Sequence, residues 1–238
     1  MHIYRRLKQV KAISFDLDDT LYDNYPVIVR VEKEMVKWLH LHHPVSATVP
    51  LEKWHQFKKQ VLAEQPELKH DVTRWRMEQI KFGLVQLGYD IDKATQASEK
   101  GIEHALWLRN QVDVPQETHQ LLSALKKKYP LVAITNGNVD ETQIDLGQYF
   151  EFVLRAGPDG RAKPFADMFI TTSKRLSLPP EQILHVGDHP ISDVQGAKQA
   201  SYQACWLNLT GVPANKSDKV RQLPDIEISQ LSQLNQLL

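Results

Sequence analysis

Phe15-Asp16-Leu17-Asp18-Asp19-Thr20-Leu21 ends the first apolar run of the chain, Val10 to Phe15. A short run of β-formers halted by carboxylates reads as a strand buried on both faces of a parallel sheet. Asp16 closes that strand and Asp18 follows two residues later, so both carboxylates point into one crevice. Alone, Asp-x-Asp is more often a turn, a cap or solvated surface than a site.

Outward from this stretch, similar runs recur at Leu131 to Ile134, Phe152 to Leu154, Ile183 to Val186 and Gln203 to Leu207. Helix-like patterns lie between them at Gln116 to Lys128, Asp140 to Leu146, Phe165 to Leu176 and Ser192 to Ala200. Strands alternating with helices predict an α/β fold with an open, doubly wound parallel sheet. One interval breaks the alternation. From Asn24 to Val114 only amphipathic helix patterns occur, with Ile28, Val31, Met35, Trp38 and Leu39 on one face and Ile80, Leu84 and Leu87 on another. Pro44, Pro50, Pro66 and Gly88 divide the interval into four helices. The expected organisation is a Rossmann-like sheet core (1–23 and 115–238) with an inserted helical-bundle cap (24–114).

Ligands of open α/β sheets bind outside the carboxyl ends of the strands. Three further polar features fall at such ends. Thr135-Asn136-Gly137 offers a hydroxyl and a glycine-flanked turn whose N–H groups suit phosphate oxygens. Lys163 precedes Pro164, which disfavours helix and can hold the lysine extended toward the crevice. Gly187-Asp188-His189-Pro190-Ile191-Ser192-Asp193 places two more carboxylates in one loop, hard oxygen ligands suited to Mg²⁺. Each alone has a bland reading: a turn, an exposed lysine, a helix cap.

In this order, each at a strand end, the four segments resemble the motifs of the haloacid dehalogenase-like hydrolase superfamily. The similarity extends to its bacterial phosphatases of riboflavin metabolism, which act on flavin mononucleotide and 5-amino-6-(5-phosphoribitylamino)uracil. Asp71 to Arg76, Val132 to Asn138, Tyr149 to Pro158 and Ile183 to Asp188 carry this closer likeness. The resemblance implies a Mg²⁺-dependent phosphoric monoester hydrolase that works through an aspartyl-phosphate on Asp16. Asp18 then serves as acid and base, while Thr135, Asn136, Gly137 and Lys163 face the phosphoryl oxygens. The metal set is Asp16, Asp18 through its carbonyl, and Asp188, with Asp193 behind them orienting bound water or Lys163. Haloacid dehalogenases lack a carboxylate at position 18, because halide leaves without a proton, so the phosphatase branch is implied. His189 departs from the pattern, which has an acidic residue there.

Specificity is expected from the cap, with Arg74, Trp75, Arg76 and Trp107 as candidates for stacking on, or bonding to, a substrate ring. Against this, both tryptophans can simply pack between helices and the arginines can be solvated. Asp71 and Thr73 read as helix caps. His40, His42 and His43 decorate a helix end rather than announce a transition-metal site, and His185 reads as a core or hydrogen-bonded histidine.

Composition narrows the rest. Among 238 residues, Lys plus Arg and Asp plus Glu both number 29, which removes the basic footprint of a nucleic-acid binder. The single Cys205 lies in an apolar stretch and excludes a disulfide framework. No apolar run approaches the length of a membrane span and no signal peptide is visible, so a cytoplasmic enzyme is expected. No glycine-rich nucleotide-cofactor loop occurs. The expected partner is a small-molecule phosphate ester. Competing readings are a sugar-phosphate phosphatase or phosphomutase on the same core, or a binding module that has lost turnover.

Overall fold

The computed structural model describes every residue from Met1 to Leu238 and divides into two compact units. The first comprises Met1–Asp23 and Asp113–Leu238, the second Asn24–Val112.

The first unit is built on a seven-stranded sheet. Its strands are β1 (His2–Ile3), β2 (Ala12–Phe15), β3 (Leu131–Thr135), β4 (Val153–Arg155), β5 (Ile183–Gly187), β6 (Gln203–Leu207) and β7 (Ile226–Ile228). Their order is β1-β7-β6-β5-β2-β3-β4, and every pairing is parallel except that of β1 with β7. Every residue of β2 is fully buried, as a central parallel strand covered on both faces requires. Its one polar member, Ser14, stands opposite His185 in register and hydrogen-bonds to it. Met168, Phe169, Tyr202 and Trp206 join sheet residues in the core on one side.

The second unit holds four α-helices: α1 (Tyr25–His42), α2 (Leu51–Glu64), α3 (Val72–Gln86) and α4 (Ile91–Arg109). It has its own apolar core, in which Val31, Met35, Leu39, Trp54, Phe57, Ile80 and Leu84 meet. Asp71 caps α3 by accepting from the Arg74 N–H, and Asp90 caps α4 by accepting from that of Lys93. Back in the first unit lie α5 (Gln116–Lys126), α6 (Asp167–Leu176) and the short α7 (Gly196–Gln199).

Three details differ from the sequence expectation. Asp140 to Leu146 forms turns, not a helix. Asp140 turns its carboxylate back onto Thr142 and Gln143, and Asp145 takes a left-handed φ of 58° that no helix continues through. Ser192 to Ala200 is helical, but begins earlier, as a π-helical turn over Pro190–Gln195 that runs into α7. β1 and β7 are too short for a periodic signal. No helix is long and apolar enough to cross a membrane.

Candidate active site

The carboxyl ends of β2, β3 and β5 are neighbours in the sheet, and each delivers one part of a shared pocket. Asp16 extends β2 by one residue, its N–H donating to the Val186 carbonyl at 2.9 Å. Thr135 is the last residue of β3, and Asp188 follows the last residue of β5. Lys163 enters from the loop before α6. Asp16, Asp18, Thr135, Asn136, Gly137, Lys163, Asp188 and Asp193 therefore line one pocket of about 170 Å³, together with Asp19, His189 and Ser192.

Lys163 is the hinge of the arrangement. Its buried ammonium donates to Asp16 Oδ1 at 2.7 Å and the Ile134 carbonyl at 2.6 Å, and pairs with Asp193 Oδ1 at 2.7 Å. All three N–H donors are thus engaged. Burial opposes the ammonium charge, but Asp16 and Asp193 hold its pKa above the ordinary value. Asn136 fixes the lysine backbone from both sides: its Oδ1 accepts from the Lys163 N–H at 2.7 Å and its Nδ2 donates to the carbonyl at 3.0 Å. Asn136, expected to meet substrate, is engaged here in positioning Lys163.

Asp193 is fully surrounded. Oδ1 accepts from Lys163 and from His185 Nε2 at 3.2 Å, while Oδ2 accepts from the His189 N–H at 2.9 Å. Because a carboxylate only accepts, His185 carries its proton on Nε2 and its Nδ1 accepts from the Ser14 hydroxyl at 2.9 Å. Burial works against the Asp193 charge, yet Lys163 and then His185 hold its pKa well below the usual carboxylate range. For His185, burial keeps the pKa low.

Asp16 and Asp188 behave in the opposite sense. Burial pushes the Asp16 carboxyl well above the usual range, with Asp193 and Asp18 adding to the effect against the pull of Lys163. Asp188 is pushed up to about 6, by burial first and by Asp193 next. Its Oδ1 accepts from the Thr20 hydroxyl at 3.1 Å, and its carbonyl accepts from the Trp206 indole N–H at 2.6 Å. Asp18 Oδ1 accepts from the Tyr22 hydroxyl at 2.5 Å. Asp19, at φ 57°, makes the left-handed turn that follows these carboxylates.

Two glycines leave no room for a side chain. A Cβ on Gly137 would lie 2.2 Å from Asp18 Oδ2, and one on Gly187 would lie 2.3 Å from the Asp193 Cγ. Thr135 Oγ1 accepts from the Gly137 N–H at 2.9 Å, and its hydroxyl retains the capacity to donate. Thr20, Tyr22, Ser14 and Trp206 were not singled out from the sequence. Only Tyr22, four residues after Asp18, and Thr20, inside the same segment, carried any signal there.

Asp16, Asp188 and Asp193 each offer a carboxylate oxygen within 4.8 Å of the others, a grouping able to hold a metal ion. A divalent cation fits this donor set. Five carboxylates face a single lysine in the pocket, an excess of negative charge that would repel any incoming anion. His189, the residue that departs from the family pattern, instead caps the π-helical turn. Its Nδ1 accepts from the N–H groups of Ile191 and Ser192 at 3.2 and 3.0 Å. The other histidines do not converge: His40 bonds the Val49 carbonyl, His42 that of Trp38, and His43 the Tyr89 hydroxyl.

The four cap candidates lie in the helical unit. Arg74 is exposed. Trp75 is half-buried, its indole N–H donating to the Lys58 carbonyl at 2.9 Å and its ring facing the Lys58 ammonium at 4.5 Å. Arg76 lines a small cavity with Glu32, Trp54 and Lys58, and burial lowers its pKa. Trp107 is 58% exposed.

A family model described as haloacid dehalogenase-like hydrolase matches residues 10–201. A 5-amino-6-(5-phospho-D-ribitylamino)uracil phosphatase of Escherichia coli is 44% identical, with both chains covered in full. A glyceraldehyde 3-phosphate phosphatase of Pyrococcus furiosus is 25% identical over 98% of this chain and 94% of its own. Among solved structures, a 2-haloacid dehalogenase from Pseudomonas syringae pv. Tomato superposes with a TM-score of 0.89 at 37% identity, covering 96% of this chain and 98% of its own. With its carboxylates gathered at the ends of adjacent parallel strands and this likeness along its whole length, the chain belongs to the haloacid dehalogenase-like hydrolase family.

Proposed function

We propose that this protein is a Mg²⁺-dependent phosphatase in which Asp16 is the nucleophile and Asp18 the acid and base. The observation that carries this reading is the contrast between the two carboxyls. Asp16 is buried and its Oδ1 is held by Lys163, which leaves Oδ2 for attack on phosphorus. Asp18 accepts from the Tyr22 hydroxyl and lies against Gly137.

In the first step Asp16 Oδ2 forms a bond to phosphorus as the ester P–O bond breaks, and Asp18 delivers its proton to the departing alkoxide. In the second step Asp18 takes a proton from water. The water oxygen bonds to phosphorus, and the acyl-phosphate P–O bond breaks to release inorganic phosphate and restore Asp16. Thr135 donates its hydroxyl proton to a phosphoryl oxygen. Lys163 aims Asp16 and pulls against the burial that favours its neutral form, and Asp193 with His185 and Ser14 keeps Lys163 in place. Asp16, Asp188 and the Asp18 carbonyl would hold Mg²⁺, with Asp193 supporting them from behind. When bound, the ion neutralises the carboxylates and the charge of the transferring phosphoryl group.

The family also contains dehalogenases, and the chain superposes on one. Expelling halide needs no proton donor, whereas expelling an alkoxide does, and Asp18 supplies one. Identity to the E. coli relative supports a heteroaromatic ribityl phosphate as substrate: 5-amino-6-(5-phosphoribitylamino)uracil, or flavin mononucleotide, which shares the phosphoribityl chain. The purified protein with Mg²⁺ should release inorganic phosphate from p-nitrophenyl phosphate, and with a higher kcat/KM from flavin mononucleotide than from sugar phosphates. Release of halide from 2-haloacids without release of phosphate would reverse the assignment. A sugar phosphate as the preferred substrate would leave the chemistry and remove the ring.

A further inference from the structure

We infer that Trp107 is a preformed stacking platform for a planar heteroaromatic ring, held in place by His104, Trp38 and His42. The inference rests on the reading above only for the source of the ring.

Trp38 and His42 stand one turn apart on α1, and His104 and Trp107 one turn apart on α4, so each pair projects from one helix face. The four rings form a near-parallel series. Trp38 and His42 stack with centroids 4.6 Å apart at 25°, Trp38 and His104 at 5.6 Å and 19°, and His104 and Trp107 at 5.5 Å and 22°. The rings behind Trp107 are held by their neighbours. At the far end of the series His42 Nδ1 bonds the Trp38 carbonyl at 2.9 Å, and the Trp38 ring packs over Gly101, where a Cβ would sit 3.5 Å from it. Burial, then the neighbouring His42, lower the His104 pKa, which favours an uncharged imidazole against the indole.

The α4 end of the series is open. Trp107 is 58% exposed, whereas Trp54 and Trp206 are 2% and 3% exposed. Trp75, the other cap tryptophan considered, spends its N–H on Lys58. Trp107 stacks on His104, so its indole is supported from behind while more than half of the residue meets solvent. A rigid aromatic face with its rotamer already restricted loses little entropy on binding a ring. An electron-rich indole best matches an electron-poor planar ring, such as a pyrimidinedione or an isoalloxazine.

Riboflavin tests this without turnover, because it carries the ring but no phosphate. Titrated against the full-length protein, it should show saturable quenching of flavin fluorescence. Trp107→Ala should weaken that binding on the order of tenfold, the scale of ring stacking on an aromatic side chain. His104→Phe should retain most of the affinity and His104→Ala less, with helicity by circular dichroism unchanged in each. No saturable quenching by the wild type, or equal quenching by wild type and Trp107→Ala, overturns the platform. So does a second copy of the chain occupying the face, seen as a dimer that Trp107→Ala dissolves.

A kinetic arm then distinguishes two sources of the ring. If the substrate carries it, Trp107→Ala lowers kcat/KM for flavin mononucleotide and not for ribose 5-phosphate. If a separate ring compound binds there, riboflavin binding is lost while both kinetic values stand. Failure of phosphatase activity altogether would remove the function proposed above and leave the riboflavin titration as informative as before.

Discussion

Asp18 is the residue on which the choice of chemistry turns, and its environment allows a specific kinetic test. As acid in the first step and base in the second, it should matter least where the leaving group is already stable. Asp18→Asn is expected to release p-nitrophenolate in a burst of about one equivalent and then to turn over ~10²- to 10⁴-fold more slowly, the span of general acid–base catalysis. Pre-steady-state absorbance measures both phases, and an unchanged steady rate would remove the role. The glycine before the Asp188 to Asp193 loop makes a second point at this scale. Gly187→Ala places a Cβ 2.3 Å from the Cγ of a fully buried aspartate that already accepts from Lys163, His185 and the His189 N–H. It should cost on the order of 1–3 kcal/mol in urea unfolding, as overpacking does, and lower kcat as well. Stability and kcat both at wild-type values would show that the loop adjusts freely. Asp16, Asp18, Lys163 and Asp188 were legible in the sequence because chain order and strand ends marked them. Ser14 and Trp206 were not, because a hydroxyl or indole reaching across the sheet has no local spacing to betray it; Thr20 and Tyr22 lay in or beside the Asp16–Leu21 segment, which marks their place but not their partners.

At the level of elements, His189 shows how one side chain can be reassigned by what it caps. Its Nδ1 satisfies two N–H groups at the start of the π-helical turn, a duty that asparagine or aspartate also performs. His189→Ala should lose about 1 kcal/mol of stability with the Mg²⁺ dependence of activity unchanged, while His189→Asn should restore most of the stability. A large shift in Mg²⁺ dependence would instead place His189 at the metal. The loop bearing Lys163 is closed by a second device, the bidentate pair of Arg161 with Asp167 at 2.8 and 2.7 Å. The Arg161 side chain and N–H hold the Asp167 carboxyl down to about 2, below its ordinary 3.8. A carboxyl lowered in the folded state stabilises it above the ordinary value, and that contribution disappears as pH falls through the lowered one. The stability difference between wild type and Asp167→Asn should therefore be present above pH 4 and vanish toward pH 2. The effect is small, because the pair is solvent-screened. Equal differences at both ends would show that the charge pair contributes nothing. Elements with long periodic or apolar signals were read correctly, as α1 to α4 and β2 show. Asp140 to Leu146 was misread because side-chain bonding to the local backbone and one left-handed residue outweighed an apparently helical composition.

For the whole molecule, the sequence conveyed the α/β plan because topology, not detail, determines it. Parallel strands with helical crossovers must place their carboxyl ends along one edge, and four motifs in chain order were enough to fill that edge. The antiparallel addition of β1 to β7 escaped, since contacts between the two ends of a chain leave no periodic trace. What the first unit assembles is a negatively charged pocket suited to an anion only with a cation present, around one lysine-held carboxylate. The most direct test of that arrangement is covalent. Enzyme quenched during turnover of p-nitrophenyl phosphate with Mg²⁺, reduced with borohydride and digested, should yield the Asp16 peptide converted to homoserine, as an acyl phosphate requires. No modified peptide under conditions of full turnover, or modification at another carboxylate, would contradict the account.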